Sequence, residues 1–133
     1  MKQLPQKLAE TALERHVLKW INDEAKDGYR DNENPVKAVL DDLFHGGCAS
    51  GIVGHLIYTR DTVAFYKKHQ KEIDGLLKET LSDIGESPSK LFERAGWDND
   101  DPLAREDGNQ NILAWFGFEE TARKLGDKAE IEL

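Results

Sequence analysis

The sequence has one cysteine, Cys48, no long hydrophobic run, and too few basic residues to balance its acidic ones. A lone cysteine cannot close an internal disulfide, so a stapled secreted scaffold is excluded. No stretch approaches the ~18 consecutive apolar residues of a membrane span. The opening Met1-Lys2-Gln3-Leu4-Pro5 leads into charged positions without the apolar segment of a signal peptide. A reducing, cytoplasmic setting is the expectation, with no membrane partner. Lys and Arg number 18 against 26 Asp and Glu, a formal net charge of −8. Such a surface repels a phosphate backbone, which disfavours direct nucleic-acid binding. Lys67, Lys68 and Lys71 form the densest cationic group. Lys68 has Glu72 one turn on, the spacing of helix-surface support.

What is present suffices for one domain spanning 1–133. A chain of 133 residues buries roughly two-thirds of its extended surface without a disulfide or metal. Three Trp, five Phe and three Tyr are available to its core. The acidity is unevenly placed. Residues 1–60 hold eight Lys/Arg and nine Asp/Glu, whereas residues 72–120 hold four against thirteen, a balance of −9. An acidic second half suits a basic protein partner, and it also confers solubility.

Hydrophobic spacing near 3.6 recurs along the chain. Pro5 suits a first helical position, and Leu8, Ala12, Val17, Trp20 and Ile21, widened by Leu13 and His16, predict one helix of about twenty residues ending at Gly28. Asn34-Pro35 reads as a cap and first residue, followed by the stripe Val36, Val39, Leu40, Leu43 and Phe44, with Gly46-Gly47 as the stop. Periodicity cannot decide between helix and strand for the apolar run 52–58. Ser50 as a cap, and the lack of a partner for a lone strand, favour helix. Thr59 or Asp61 caps the next helix, with Val63, Tyr66, His69, Ile73, Leu76, Leu77, Leu81 and Ile84 on its stripe and a kink or break expected near 70–75, around Gly75. Ser87-Pro88 opens a short helix with Leu91, Phe92 and Ala95 that closes at Gly96. After the irregular stretch 97–108, Asn109 or Asn111 caps a last helix carrying Ile112, Leu113, Trp115, Phe116, Ala122 and Leu125, with Gly126 as its end. The expectation is an all-α fold, a single irregular bundle of five to six helices, with 127–133 as a short C-terminal strand or mobile tail.

Candidate chemistry is sparse. Gly46-Gly47-Cys48-Ala49-Ser50-Gly51 offers backbone N–H groups for an anion. A phosphate loop, however, needs a Lys where Ile52 stands and a strand where a helix is expected. A tight interhelical turn accounts for the glycines more simply. Cys48 before a helix start, with His45 and His55 near in sequence, is a candidate nucleophile or partial metal site. It supplies at most three ligands where zinc takes four, and a buried inert cysteine is the commoner outcome. Asp98, Asp100 and Asp101 open like a calcium loop, but Leu103 and Asn109 stand where that loop needs glycine and glutamate. Glu119 lies four residues after Trp115, a spacing that offers an inward position needing a partner such as Trp97 or a backbone amide, but a solvated face is the commoner outcome for a glutamate. Glu119 and Glu120 project about 100° apart on a helix and do not form an acid–base pair. No signature of a bound cofactor is present.

Three stretches carry a resemblance. They are Gly47-Cys48-Ala49-Ser50-Gly51 with Leu56-Ile57-Tyr58; Asp61-Thr62-Val63-Ala64-Phe65-Tyr66; and Trp97-Asp98 through Asp101-Pro102-Leu103-Ala104 to Asn109, Asn111, Leu113-Ala114-Trp115-Phe116 and Phe118-Glu119-Glu120-Thr121-Ala122. In residues 46–66 and 97–122 the chain resembles a small uncharacterised family of bacterial and phage or prophage proteins. The resemblance implies a mobile-element context and no assigned reaction, so no catalytic residue is carried over.

Two functions follow as expectations. One is a non-enzymatic acidic binding protein, an accessory factor that modulates a host or defence protein through a basic partner surface. The other is a small enzyme or ligand- or metal-binding protein with a site between the 46–51 turn and the 97–108 loop. Its candidate residues are Cys48, His55, Trp97, Asp98, Asp100, Asp101 and Glu119. Homo-oligomerisation stays open in both.

Overall fold

The computed structural model describes residues 1–44, 60–84 and 109–131, with the side chains at 60–63, 81–84, 109–112 and 115 outside the description. Among the described residues all regular structure is helical: a 3-10 turn at Gln6–Leu8, then α1 (Ala12–Asp27), α2 (Pro35–Phe44), α3 (Arg60–Ile84) and α4 (Asn109–Lys128). None of these helices is long and apolar enough to cross a membrane. The residues fall into two compact units, one of Met1–Gly54 with Phe118–Leu133 and one of His55–Gly117.

In the first unit the expected helix from Pro5 is divided. Pro5 opens only the 3-10 turn, and the chain is extended at Ala9 (φ −87°, ψ 116°) and Thr11 (φ −114°, ψ 165°). The physical reason is a competing cap. In Thr11-Ala12-Leu13-Glu14 the Thr11 hydroxyl oxygen accepts from the Glu14 N–H at 3.1 Å, and the Glu14 carboxylate accepts from the Glu10 N–H at 3.2 Å. This is close to a capping box, displaced by one residue on its return arm. The restart also rotates the buried stripe. Leu13, Val17, Leu18, Ile21 and Ala25 are buried, whereas Ala12 and His16 are exposed and Trp20 is half-buried. Gly28 ends α1 as expected, its N–H donating to the Glu24 carbonyl at 2.8 Å.

Asn34 caps α2 as its sequence position predicts, accepting from the Lys37 N–H at 3.1 Å. Val36, Val39, Leu40 and Leu43 then pack against α1. The segment before the 3-10 turn is held by one side chain. Asn22 accepts from the Leu4 N–H at 2.7 Å and donates to the Leu4 carbonyl at 3.1 Å, while Leu4 itself is 2 % exposed. A buried amide that satisfies both backbone groups of one residue removes two desolvation penalties at once.

From Phe118 onward α4 belongs to the same unit, burying Phe118, Thr121, Ala122 and Leu125. Phe118 meets Trp20 edge-on, with ring centroids 4.7 Å apart, the geometry favoured by aromatic quadrupoles. Gly126 does not stop this helix. It ends two residues later through the Glu130 N–H to the Asp127 carbonyl and the Ile131 N–H to the Gly126 carbonyl, both 3.0 Å. That bond pair is a Schellman closure, and it places Glu130 in the left-handed region at φ 57°. Residues 129–131 are therefore a capping turn and not the start of a strand.

In the second unit α3 begins at Arg60, so Asp61 lies inside its first turn; Thr59 is outside the described residues. Phe65, Tyr66, His69 and Ile73 are buried. The expected break falls at His69 (φ −112°, ψ 16°) and not at Gly75, where an added Cβ would meet nothing within 4 Å. The bend lets the Tyr66 hydroxyl reach the Asp74 carboxylate, eight residues on, at 2.9 Å. Eight residues of straight helix span about 12 Å. Within this unit Gly117 is what lets α4 approach Ile73, since a Cβ there would stand 2.5 Å from Ile73 Cγ1.

Candidate functional site

Of the residues singled out in the sequence, Cys48, His55, Trp97, Asp98, Asp100 and Asp101 lie outside the described residues, as do the 52–58 run and the Ser87–Gly96 helix. Glu119 is described, and its surroundings define a patch on α4. Its side chain is half-buried and faces Arg123, one turn along, at 3.6 Å; Glu120 lies 3.9 Å from the same guanidinium. Arg123 in turn lies over the ring of Phe44, the last residue of α2, 4.4 Å from its centroid. A guanidinium on an aromatic face keeps its fork edge free for carboxylates.

Burial pushes the Glu119 carboxyl above its ordinary range; Arg123 pulls it down and Glu120 pushes it up again, and the net direction is upward. Glu119 thus lies between the solvated face that is commoner for a glutamate and the inward position that its spacing from Trp115 offered. Its partner is the guanidinium four residues on, a spacing that was visible in the sequence. Two residues further along α4, Thr121 is 1 % exposed and its hydroxyl has no hydrogen-bond partner among the described residues.

The first unit has a second charged centre that no sequence pattern signalled. Lys128 Nζ donates to the Glu14 carboxylate at 2.9 and 3.2 Å and to the Leu8 carbonyl at 3.1 Å, with Glu10 at 4.0 Å. Glu14 is 6 % exposed. Burial raises its carboxyl, but the Lys128 hydrogen bond, the Glu10 amide and the charges of Lys128 and Lys124 outweigh this, and the net direction is downward. This centre ties the last turn of α4 to the start of α1. The capping sequence Thr11-x-x-Glu14 was the available signal for Glu14, and nothing local pointed to Lys128. In the second unit, burial and the Asp74 carboxylate push the Tyr66 phenol up to about 12, so it remains a hydrogen-bond donor at neutral pH.

Chemically, the α4 patch is a charged, partly desolvated surface with a raised carboxyl. Among the described residues no three His, Cys, Asp or Glu side chains converge on a metal position. No curated protein and no solved structure matches the chain. A family model described as a domain of unknown function matches residues 7–131, and the chain therefore belongs to the DUF7222 family.

Proposed function

We propose that this chain is a non-enzymatic binding protein whose acidic second half engages a basic protein partner in the cytoplasm, as a phage or mobile-element accessory factor that modulates a host or defence protein. The supporting observation is charge segregation. Thirteen Asp/Glu face four Lys/Arg in residues 72–120, while residues 1–60 are nearly balanced at nine against eight. A field of one sign accelerates encounter with a partner of the other and rejects nucleic-acid backbones. A single irregular bundle of five to six helices over 1–133 completes this reading, with helices additional to α1–α4 falling in 52–58 and 88–96.

The test is affinity capture from bacterial lysate with the full chain, read by mass spectrometry at low and high salt, beside the double variant Glu72→Lys/Glu79→Lys. The expectation is a basic protein released about tenfold on raising salt from about 0.05 to 0.5 M and weakly held by the variant. Recovery of nothing above background, or capture indifferent to salt, overturns the proposal.

A further inference from the structure

The first unit contains a groove of about 450 Å³ whose character is opposite to that of the chain as a whole. It is lined by Lys2, Gln3, Ala25, Lys26, Arg30 and Pro35. Ala25 and Pro35 are buried and form an apolar floor, while Lys2, Lys26 and Arg30 are exposed and form the rim. Among the described residues no carboxylate lines it, although the net charge of the chain is −8.

Among the described residues the three cations are also without an acidic partner. Lys19, Lys37, Arg123 and Lys128 each hold an acidic partner. Among the described residues Lys2, Lys26 and Arg30 hold none. Their positions come from three separate segments: the N-terminal stretch fixed by Asn22, the last turn of α1, and the turn before α2. Pro35 is the first residue of α2, so the positive end of that helix dipole adds to the same field. The α2 amides themselves are occupied, because the Val36 N–H donates to the Met1 carbonyl at 3.3 Å and the Lys37 N–H to Asn34. Recognition there falls to side chains.

We propose that this groove binds a small phosphate monoester. Three cations suit a dianion better than a monocarboxylate, and the Arg30 guanidinium can take two phosphate oxygens in its fork. The Ala25–Pro35 floor receives the apolar or heterocyclic body of the ester, and Gln3 supplies a neutral donor and acceptor at the edge. The size falls within the range of small-molecule sites. Its lining residues fall outside the acidic 72–120 stretch, and it selects the opposite charge.

The experiment is a backbone-amide NMR titration of the full chain with adenosine monophosphate, inorganic phosphate and adenosine, repeated on Lys26→Ala/Arg30→Ala. Both residues are exposed, and an unchanged thermal midpoint verifies that the variant is folded. Adenosine monophosphate should move the amides of Ala25, Lys26, Arg30 and Val36 saturably, inorganic phosphate should move them more weakly, and adenosine should leave them in place. The double variant should bind at least about tenfold more weakly. Unmoved amides at ~10 mM adenosine monophosphate would overturn the proposal. So would adenosine binding as well as its phosphate, or a variant that binds like the parent.

Discussion

Glu14 and Glu119 are the same side chain in the same compact unit, each beside a cation, yet their carboxyls shift in opposite directions. Desolvation raises both. At Glu14 it is overcome because Lys128 donates to both carboxylate oxygens at 2.9 and 3.2 Å and the Glu10 amide adds a third bond. At Glu119 it prevails because Arg123 stands at 3.6 Å, is shared with Glu120, and is itself engaged with Phe44. Proximity to a charge does not set the direction. At Glu14 the hydrogen bonds to the charged form together with the charges of Lys128 and Lys124 outweigh burial, whereas at Glu119 burial outweighs Arg123. One end of α4 is thus fully satisfied, while its middle holds Glu119 with its raised carboxyl and a Thr121 hydroxyl that has no partner among the described residues.

The largest effect should come from breaking the satisfied end. Lys128→Met leaves Glu14 buried without its main partner, and about 2–3 kcal/mol of unfolding free energy should be lost in urea titration at pH 7. The sign with pH follows from the lowered Glu14 carboxyl. In the parent its contribution is present above the ordinary value of 4.5 and is lost as pH falls through the folded-state value. In the variant burial acts against a weaker opposition, so a carboxyl-carbon NMR titration should find Glu14 shifted upward. A loss below about 0.5 kcal/mol, the range of an exposed pair, would remove the contrast between the two carboxylates.

The next effect concerns the unsatisfied middle. Thr121→Val keeps the shape and β-branching while deleting a buried hydroxyl that has no partner among the described residues. Stability should rise by about 1 kcal/mol in the same titration. A loss of similar size would mean that the hydroxyl is satisfied in solution, and the middle of α4 would then resemble its end.

The sequence exposes these features unequally. Local signals were legible where Asn34-Pro35 opens α2 and Gly28 closes α1; for Glu119 the sequence pointed to Trp97 or a backbone amide, and the partner is Arg123 at the i, i+4 position. Features set by competition between local signals were misjudged. Pro5 and Thr11 both offer a helix start, and Thr11 prevails because Glu14 can return its carboxylate. Gly126 and Glu130 both sit near the end of α4, and the closure uses Glu130 despite its strained φ, while Gly126 stays buried in the helix. The bend in α3 follows the buried His69 and not the flexible but exposed Gly75. Periodicity carries no information on the Lys128–Glu14 link, because its ends lie 114 residues apart. Nor does it reveal the cationic groove, whose rim comes from three segments. Of the candidate site, only Glu119 falls on described residues.

The smallest effect is the sharpest test of the comparison. Glu119→Gln removes a carboxyl whose folded-state value is raised, so the parent's contribution from this group is full below its unfolded value and is lost as pH rises through the folded one. At pH 7 the charged form therefore works against the fold, and the amide should be more stable by about 0.5 kcal/mol, the burial term diminished by the loss of a weak pair with Arg123. Near pH 3 the parent is protonated and the two proteins should unfold at the same urea concentration. Opposite behaviour at Glu14, where acid removes stability, then makes the pair diagnostic in one pH series. If the glutamine variant is instead less stable at pH 7, the Arg123 bond outweighs burial at Glu119. The two carboxylates would then differ in degree only.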